Sequence, residues 1–236
     1  MKFNILVLLS FMAFLWMGSA TKAMANGHIL WKIVDTCVDK SRPQYCSTCF
    51  SPRTDSGCQA KPVCQKSTDV WAENNDFVAM RDIKMCGCPA DFVHGLVMPK
   101  SLVSGIEDPK RPLGIWQFAW DVAAARLDGP SIGLAVNSLH KRTQHHLHVH
   151  IVRLKPDVQP ELTKHLAGLV SDLNEVWAVA ERAAFAKGMP EHGILVAQAP
   201  NGQYAVSITL ESPEGQWTQA FCTNGPVSSP ETSTAK

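Results

Sequence analysis

Residues 144–153 read Gln144-His145-His146-Leu147-His148-Val149-His150-Ile151-Val152-Arg153 and hold four of the chain's nine histidines. His146, His148 and His150 alternate with Leu147, Val149 and Ile151. Alternation at period two marks a β-strand with one face in a core. The aliphatic side chains then point inward, and the imidazoles stand in a row on the other face, roughly 6–7 Å apart. Burying three unpaired imidazoles for packing alone is costly, so chemistry accounts for the row better than structure does. A neutral imidazole is a transition-metal ligand, and it is also a nucleophile and proton carrier near pH 7. The spacing alone leaves both uses open. His145 lies on the opposite phase and reads as structural. His94, in an earlier apolar run, faces either the same pocket or the surface. His140 sits in the loop before the row, where contact with a ligand and simple exposure are both open. His28, His165 and His192 carry no pattern.

Such a row needs a sheet to hold it. Residues 76–83 and 92–98 read as strands, the second stopped by Pro99. Residues 113–127 read as a helix with Ile115, Trp116, Ala119, Trp120 and Ala123 on its apolar stripe, ended by Asp128-Gly129-Pro130. Trp116 and Trp120, one turn apart, read as core rather than as a nucleobase platform. Residues 132–136 form a third strand, and a short loop then leads into the histidine segment. Helices are predicted over 29–38, 160–173 and 176–187. The apolar runs 193–197 and 204–208 flank Asn201-Gly202, a hairpin signal. There is no internal repeat. This order gives an α+β fold with an antiparallel sheet.

The ends and the cysteines bound the setting. Lys2, an apolar run over 5–17 and Ala23-Met24-Ala25 make residues 1–25 a signal peptide or an N-terminal membrane anchor. Either way the body, one domain over 26–225 followed by a disordered tail at 226–236, is expected to be exported. A net charge of +1 with 18% charged residues argues against a nucleic-acid partner, which calls for a basic stripe. Of the eight cysteines, Cys37, Cys46, Cys49, Cys58, Cys64, Cys86 and Cys88 cluster and Cys222 stands apart. In an oxidising compartment they read as disulfides, with Cys222 reaching back to the cluster and residues 41–67 a stapled loop. Zinc at Cys46-x-x-Cys49 and Cys86-x-Cys88 is the rival reading, at spacings that do not match a standard site.

The run His146-Leu147-His148-Val149-His150-Ile151-Val152 matches the His-φ-His-φ-His-φ-φ motif of the histidine-triad hydrolases at every position. Gly95-Leu96-Val97-Met98-Pro99-Lys100 resembles the strand of that fold that ends in Pro-Lys. Within the superfamily the chain resembles the CDP-diacylglycerol pyrophosphatases. The resemblance rests on Leu134-Ala135-Val136-Asn137-Ser138, Arg142-Thr143-Gln144 and Arg153-Leu154-Lys155-Pro156-Asp157-Val158, with Cys37, the N-terminal segment and the C-terminal hairpin in support. The 46–58 insertion and the Cys86/Cys88 pair depart from that branch.

The resemblance implies a HIT-like antiparallel sheet with packed helices and a helix/β-hairpin extension over 174–225. It implies hydrolysis of CDP-diacylglycerol to CMP and phosphatidate. His148 would attack the nucleotide's α-phosphorus, and His146 and His150 would orient it, bind phosphate oxygens or protonate the leaving group. Asn137 takes the place of a phosphate-contacting Asn. Gln144 shares the face of the row, in a different register from the usual Gln of the superfamily. Arg142 lies in the loop that approaches the phosphates, where ordinary solvated charge is the alternative reading. No cofactor and no metal are implied. The implied partners are a nucleotide-linked phospholipid and a membrane surface, at the periplasmic face of the inner membrane. A homodimer is one expected assembly; a C-terminal half acting as a pseudo-symmetric second copy is the other. Two other functions stay open: an exported hydrolase or transferase of soluble nucleotide diphosphates, and an exported metal-binding protein using His146, His148 and His150.

Overall fold

The computed structural model describes residues 27–59, 64 and 66–222. The proposed signal or anchor at 1–25 and the tail at 226–236 lie outside the described residues. The elements in chain order are α1 (Ile29–Cys37), α2 (Tyr45–Thr48), β1 (Val70–Glu73), β2 (Phe77–Arg81) and β3 (His94–Pro99). There follow α3 (Ile115–Ala124), β4 (Ile132–Val136), β5 (Val149–Arg153), α4 (Gln159–Lys164) and β6 (Leu166–Val170). The chain then forms α5 (Val176–Ala186), β7 (Gly193–Gln198), β8 (Tyr204–Thr209) and α6 (Pro213–Trp217). Among these residues the strands make one eight-stranded sheet in the order β1-β2-β3-β5-β4-β7-β8-β6. Every neighbouring pair is antiparallel.

The alternating pattern of the histidine segment dictates its place in this sheet. Leu147, Val149 and Ile151 are almost wholly buried on the face covered by α3 and α5, against Trp116, Trp120 and Trp177. The other face is covered in two patches. Leu30 and Val34 of α1 pack on Val78, Met80, Leu96 and Met98 of β2 and β3. Trp217 of α6 and Leu162 of α4 pack on Ala135 of β4 and on Leu195 and Ala197 of β7. β5 runs between β3 and β4, so the imidazoles lie in the strip between the two patches.

Three expectations need correction. The predicted helix over 160–173 is two elements: α4 ends at Lys164, and Leu166–Val170 is the edge strand β6, paired with β8. Leu162, Leu166, Leu169 and Leu173 do recur at a helical period, but pairing with β8 and packing under α5 override it. Gly168 marks the close approach to α5, since a Cβ there would meet Val179 Cγ1 at 2.9 Å. β1 and α6 were not anticipated. The stapled loop at 41–67 carries α2 and an isolated bridge between Arg53 and Thr68. The hairpin β7–β8 forms as expected, with Gly202 at φ +82° in its turn.

All eight cysteines are in disulfides: Cys37–Cys49, Cys46–Cys58, Cys64–Cys86 and Cys88–Cys222. Cys222 reaches back to the cluster as expected. No thiolate is left to hold zinc, so the zinc reading of this segment fails.

Candidate active site

His146 lies at a bend and His148 just before β5, and His150 lies within the strand. The rings of His148 and His150 meet edge-on, 4.8 Å between centroids, closer than an ideal strand spacing. Their nitrogens have different partners. Nδ1–H of His148 donates to the carbonyl of His146 at 2.6 Å. That bond fixes the tautomer, and the lone pair is left on Nε2. His148 is also the most accessible of the three, at 8% against 4% for His150 and 0% for His146. Burial pushes its pKa below the ordinary value, so the ring is neutral near pH 7.

His146 is turned to a different neighbourhood. Its Nε2–H donates to the Pro99 carbonyl at 2.9 Å, and its ring lies 5.1 Å from that of Trp31 in α1. Burial brings its pKa down to about 4. Its bond to Pro99 ties the end of β3 to the backbone whose carbonyl orients His148.

His150 enters a buried network. Its Nδ1 lies 3.1 Å from Nε2 of His94, and Nδ1–H of His94 donates to the Ala220 carbonyl at 3.0 Å. With Nδ1 of His94 the donor, neutral His94 accepts from His150. Two carboxylates flank the pair. Asp82 Oδ2 lies 3.5 Å and Glu214 Oε1 3.4 Å from His94 Nε2, and Glu214 Oε2 lies 3.3 Å from His150 Nε2. With its proton on Nδ1, His150 offers no N–H to that oxygen, and its Nε2 has no hydrogen-bond partner. Asn137 Nδ2 donates to Glu214 Oε2 at 3.0 Å, Ser212 Oγ donates to Asn137 Oδ1 at 2.8 Å, and Lys84 Nζ donates to Glu214 Oε1. Burial opposes ionisation of Glu214, but His150, Lys84 and His94 outweigh it and hold the carboxyl well below the usual range. Burial also pushes His150 well below its ordinary value, against the pull of Glu214.

The structure thus brings His148, His150 and Asn137 together and places the other expected contacts elsewhere. Arg142 forms a two-pronged ion pair with Glu107 at 2.7 and 2.5 Å, and its side chain is 4% exposed. Gln144 Oε1 accepts from the Leu30 N–H at the start of α1. His140 is exposed and lies 3.0 Å from Glu191, and His145 is exposed and bonds to Gly27 through its backbone. His94, whose orientation the sequence left open, faces the site. Trp116 and Trp120 are core.

Sequence reasoning missed Asp82, Lys84 and Glu214. Asp82 and Lys84 sit in and beside a single 3-10 turn after β2, where Asp82 Oδ1 accepts from the Lys84 N–H. Glu214 follows Ser212-Pro213, a cap-and-proline helix start that the sequence reading passed over. Nothing local ties any of the three to the histidines.

Among the described residues, Asp82, His94 and His150 have donor atoms that converge closely enough to hold a metal ion, within 4.8 Å of one another. The triad His146, His148 and His150 does not converge in this way. The N–H of one imidazole lies on the line between His94 and His150, so a hydrogen bond already joins two of the three donors.

A neutral imidazole beside amide and ammonium donors fits the class of hydrolases that cleave phosphorus-containing anhydrides. The family model described as CDP-diacylglycerol pyrophosphatase matches residues 25–193, and the chain belongs to that family. It is therefore an enzyme of that hydrolase class. The match ends before α6 and Glu214.

Proposed function

We propose that the chain hydrolyses CDP-diacylglycerol to CMP and phosphatidate through a nucleotidyl intermediate on Nε2 of His148. One observation carries this reading: the 2.6 Å bond from His148 Nδ1 to the His146 carbonyl, which presents Nε2 as the lone-pair atom. A phosphoanhydride repels anionic nucleophiles, and a neutral imidazole avoids that repulsion. In the first step the Nε2–P bond forms as the bond from the α-phosphorus to the phosphatidate oxygen breaks. In the second step water cleaves the Nε2–P bond, releasing CMP and restoring the imidazole. His150 stands beside His148, and its Nε2 lone pair is suited to accept and pass on a proton. Asn137 is a candidate phosphate donor, and His146 orients the segment.

On this reading the sheet is HIT-like. Pairing of β4 with β7 continues it into the C-terminal extension, which favours an internal second half over a homodimer through the β4 edge. Four disulfides support an oxidising compartment, in keeping with export to the periplasmic face of a membrane that carries the lipid substrate.

The test is a substrate panel run on wild type and His148→Ala, with and without chelator. Hydrolysis of CDP-lipid in detergent, faster than of soluble nucleotide diphosphates and lost in His148→Ala, is expected. Preference for the soluble compounds would move the substrate, and an active His148→Ala enzyme would end the mechanism. The convergence of Asp82, His94 and His150 favours one second reading, a metal centre. Stoichiometric metal and loss of activity in chelator would support it, and full activity in chelator would count against it.

A further inference from the structure

Glu214 sits where an anion from outside would sit. Its carboxylate receives the Lys84 ammonium on Oε1 and the Asn137 amide on Oε2, and Oε2 lies 3.3 Å from His150 Nε2. An ammonium and an amide N–H are groups that bind a phosphate oxygen. The rings of His150 and His148 are in contact, so this donor set is one residue away from the proposed nucleophile. The helix that carries Glu214 is well anchored. Trp217 is 1% exposed, Lys155 Nζ holds the carbonyls of Gly215 and Gln216, and Cys222 is bonded to Cys88. Lys84, by contrast, is partly exposed on a short turn, with its Nζ 5.0 Å from the Phe221 ring centroid.

Charge sharpens the point. The groups facing the histidines include two buried carboxylates, Asp82 and Glu214, and one ammonium, Lys84. The pyrophosphate of a CDP-diester brings two more negative charges. Arg142 is paired with Glu107, and among the described residues it is Lys84 that is paired with the carboxylate beside His150. A dianion cannot bind favourably beside these two carboxylates unless it takes Lys84 over.

We propose that Lys84 is a substrate-binding residue for the pyrophosphate, held ready with Asn137 by the Glu214 carboxylate, which the incoming phosphate displaces from both donors. Glu214 is then a positioning residue: it keeps the donors ordered in the empty enzyme and gives them up on binding. The inference rests on the reading that the triad is the reaction centre.

Binding of CDP to the His148→Ala protein, followed by calorimetry, tests it without turnover. Adding Lys84→Gln is expected to weaken CDP by about tenfold or more, the usual cost of a lost charge-assisted hydrogen bond, and Lys84→Arg to recover most of the loss. Glu214→Gln is expected to bind CDP at least as tightly as its parent. The Lys84→Gln, Glu214→Gln double variant is expected to stay weak, because the donor is still missing. Unchanged affinity in Lys84→Gln would overturn the proposal. So would a double variant that returns to the parental affinity, since Lys84 would then act only by neutralising Glu214. Circular dichroism checks that each variant is folded. Failure of the underlying reading looks different: His148→Ala would keep turning over CDP-diacylglycerol.

Discussion

The two sides of one short stretch, residues 146–151, are both buried and yet built on different principles. Leu147, Val149 and Ile151 meet a core drawn from α3, α5 and the neighbouring strands. Contact there is non-directional, and any apolar neighbour of the right volume serves. His146, His148 and His150 are nearly as buried, but each ring is oriented by one directed bond: to the Pro99 carbonyl, the His146 carbonyl and His94. The lesson is that burial fixes the strand from one side, while the other side depends on groups brought in from distant segments. Damage to the first side should read as lost stability. Damage to the second should read as lost chemistry in a folded protein.

The largest expected effect breaks the polar side alone. His148→Ala should abolish turnover while leaving the thermal midpoint nearly unchanged; a calorimetric scan beside an activity assay checks both. Next, Cys88→Ala with Cys222→Ala opens a bridge across a sequence separation of 134 residues. Loop entropy puts its contribution at about 5 kcal/mol. Because the segment before Cys222 supplies the Ala220 carbonyl to His94, activity per folded molecule should fall as well, which denaturant titration and kcat together would show. Leu147→Ala tests the apolar side. It should cost about 2–5 kcal/mol in the same titration, with kcat of the folded fraction close to wild type. If it removes activity without lowering stability, the two sides are not separable.

The most gradual effect is a pH dependence. His94, His146, His148 and His150 all have pKa values pushed below the ordinary 6.5, with burial the main cause. The unfolded chain therefore binds more protons than the folded one below that pH. Stability then falls as pH drops from about 6.5 toward the His146 value of about 4. Denaturation midpoints taken between pH 8 and 4 should decline in that window. The acid limb of kcat/KM should lie below the pKa of free imidazole, and a limb above it would mean that the nucleophile is not held neutral by burial.

How much of this was legible in the sequence follows from the same division. The period-two alternation gave the inward and outward sets, because it depends on nothing beyond the residues themselves, although β5 begins only at Val149 and holds only His150 of the three histidines. The hairpin at Asn201-Gly202 and the return of Cys222 to the cluster were legible for similar reasons. Leu162 to Leu173 misled, since a leucine spacing of three to four suits a helix and β6 forms only because β8 is there to pair with it. Asp82, Lys84 and Glu214 could not be read at all. Glu214 is 64 residues from His150 in sequence and reaches it only after β7 and β8 extend the sheet past β4. Arg142 shows the reverse. Its position in the loop suggested phosphate contact, and nothing in the sequence pointed to Glu107, which binds both terminal nitrogens of its guanidinium.

The central claim is that Nε2 of His148 becomes bonded to phosphorus during turnover. Its most direct test is a rapid acid-free quench of the enzyme mixed with CDP-diacylglycerol labelled in the CMP moiety, followed by peptide mapping under conditions that preserve phosphoramidates. The account predicts a CMP adduct on the peptide containing His148, formed at a rate that supports turnover and missing in His148→Ala. Label on another residue, or turnover at full rate with no adduct formed at any time point, would contradict it.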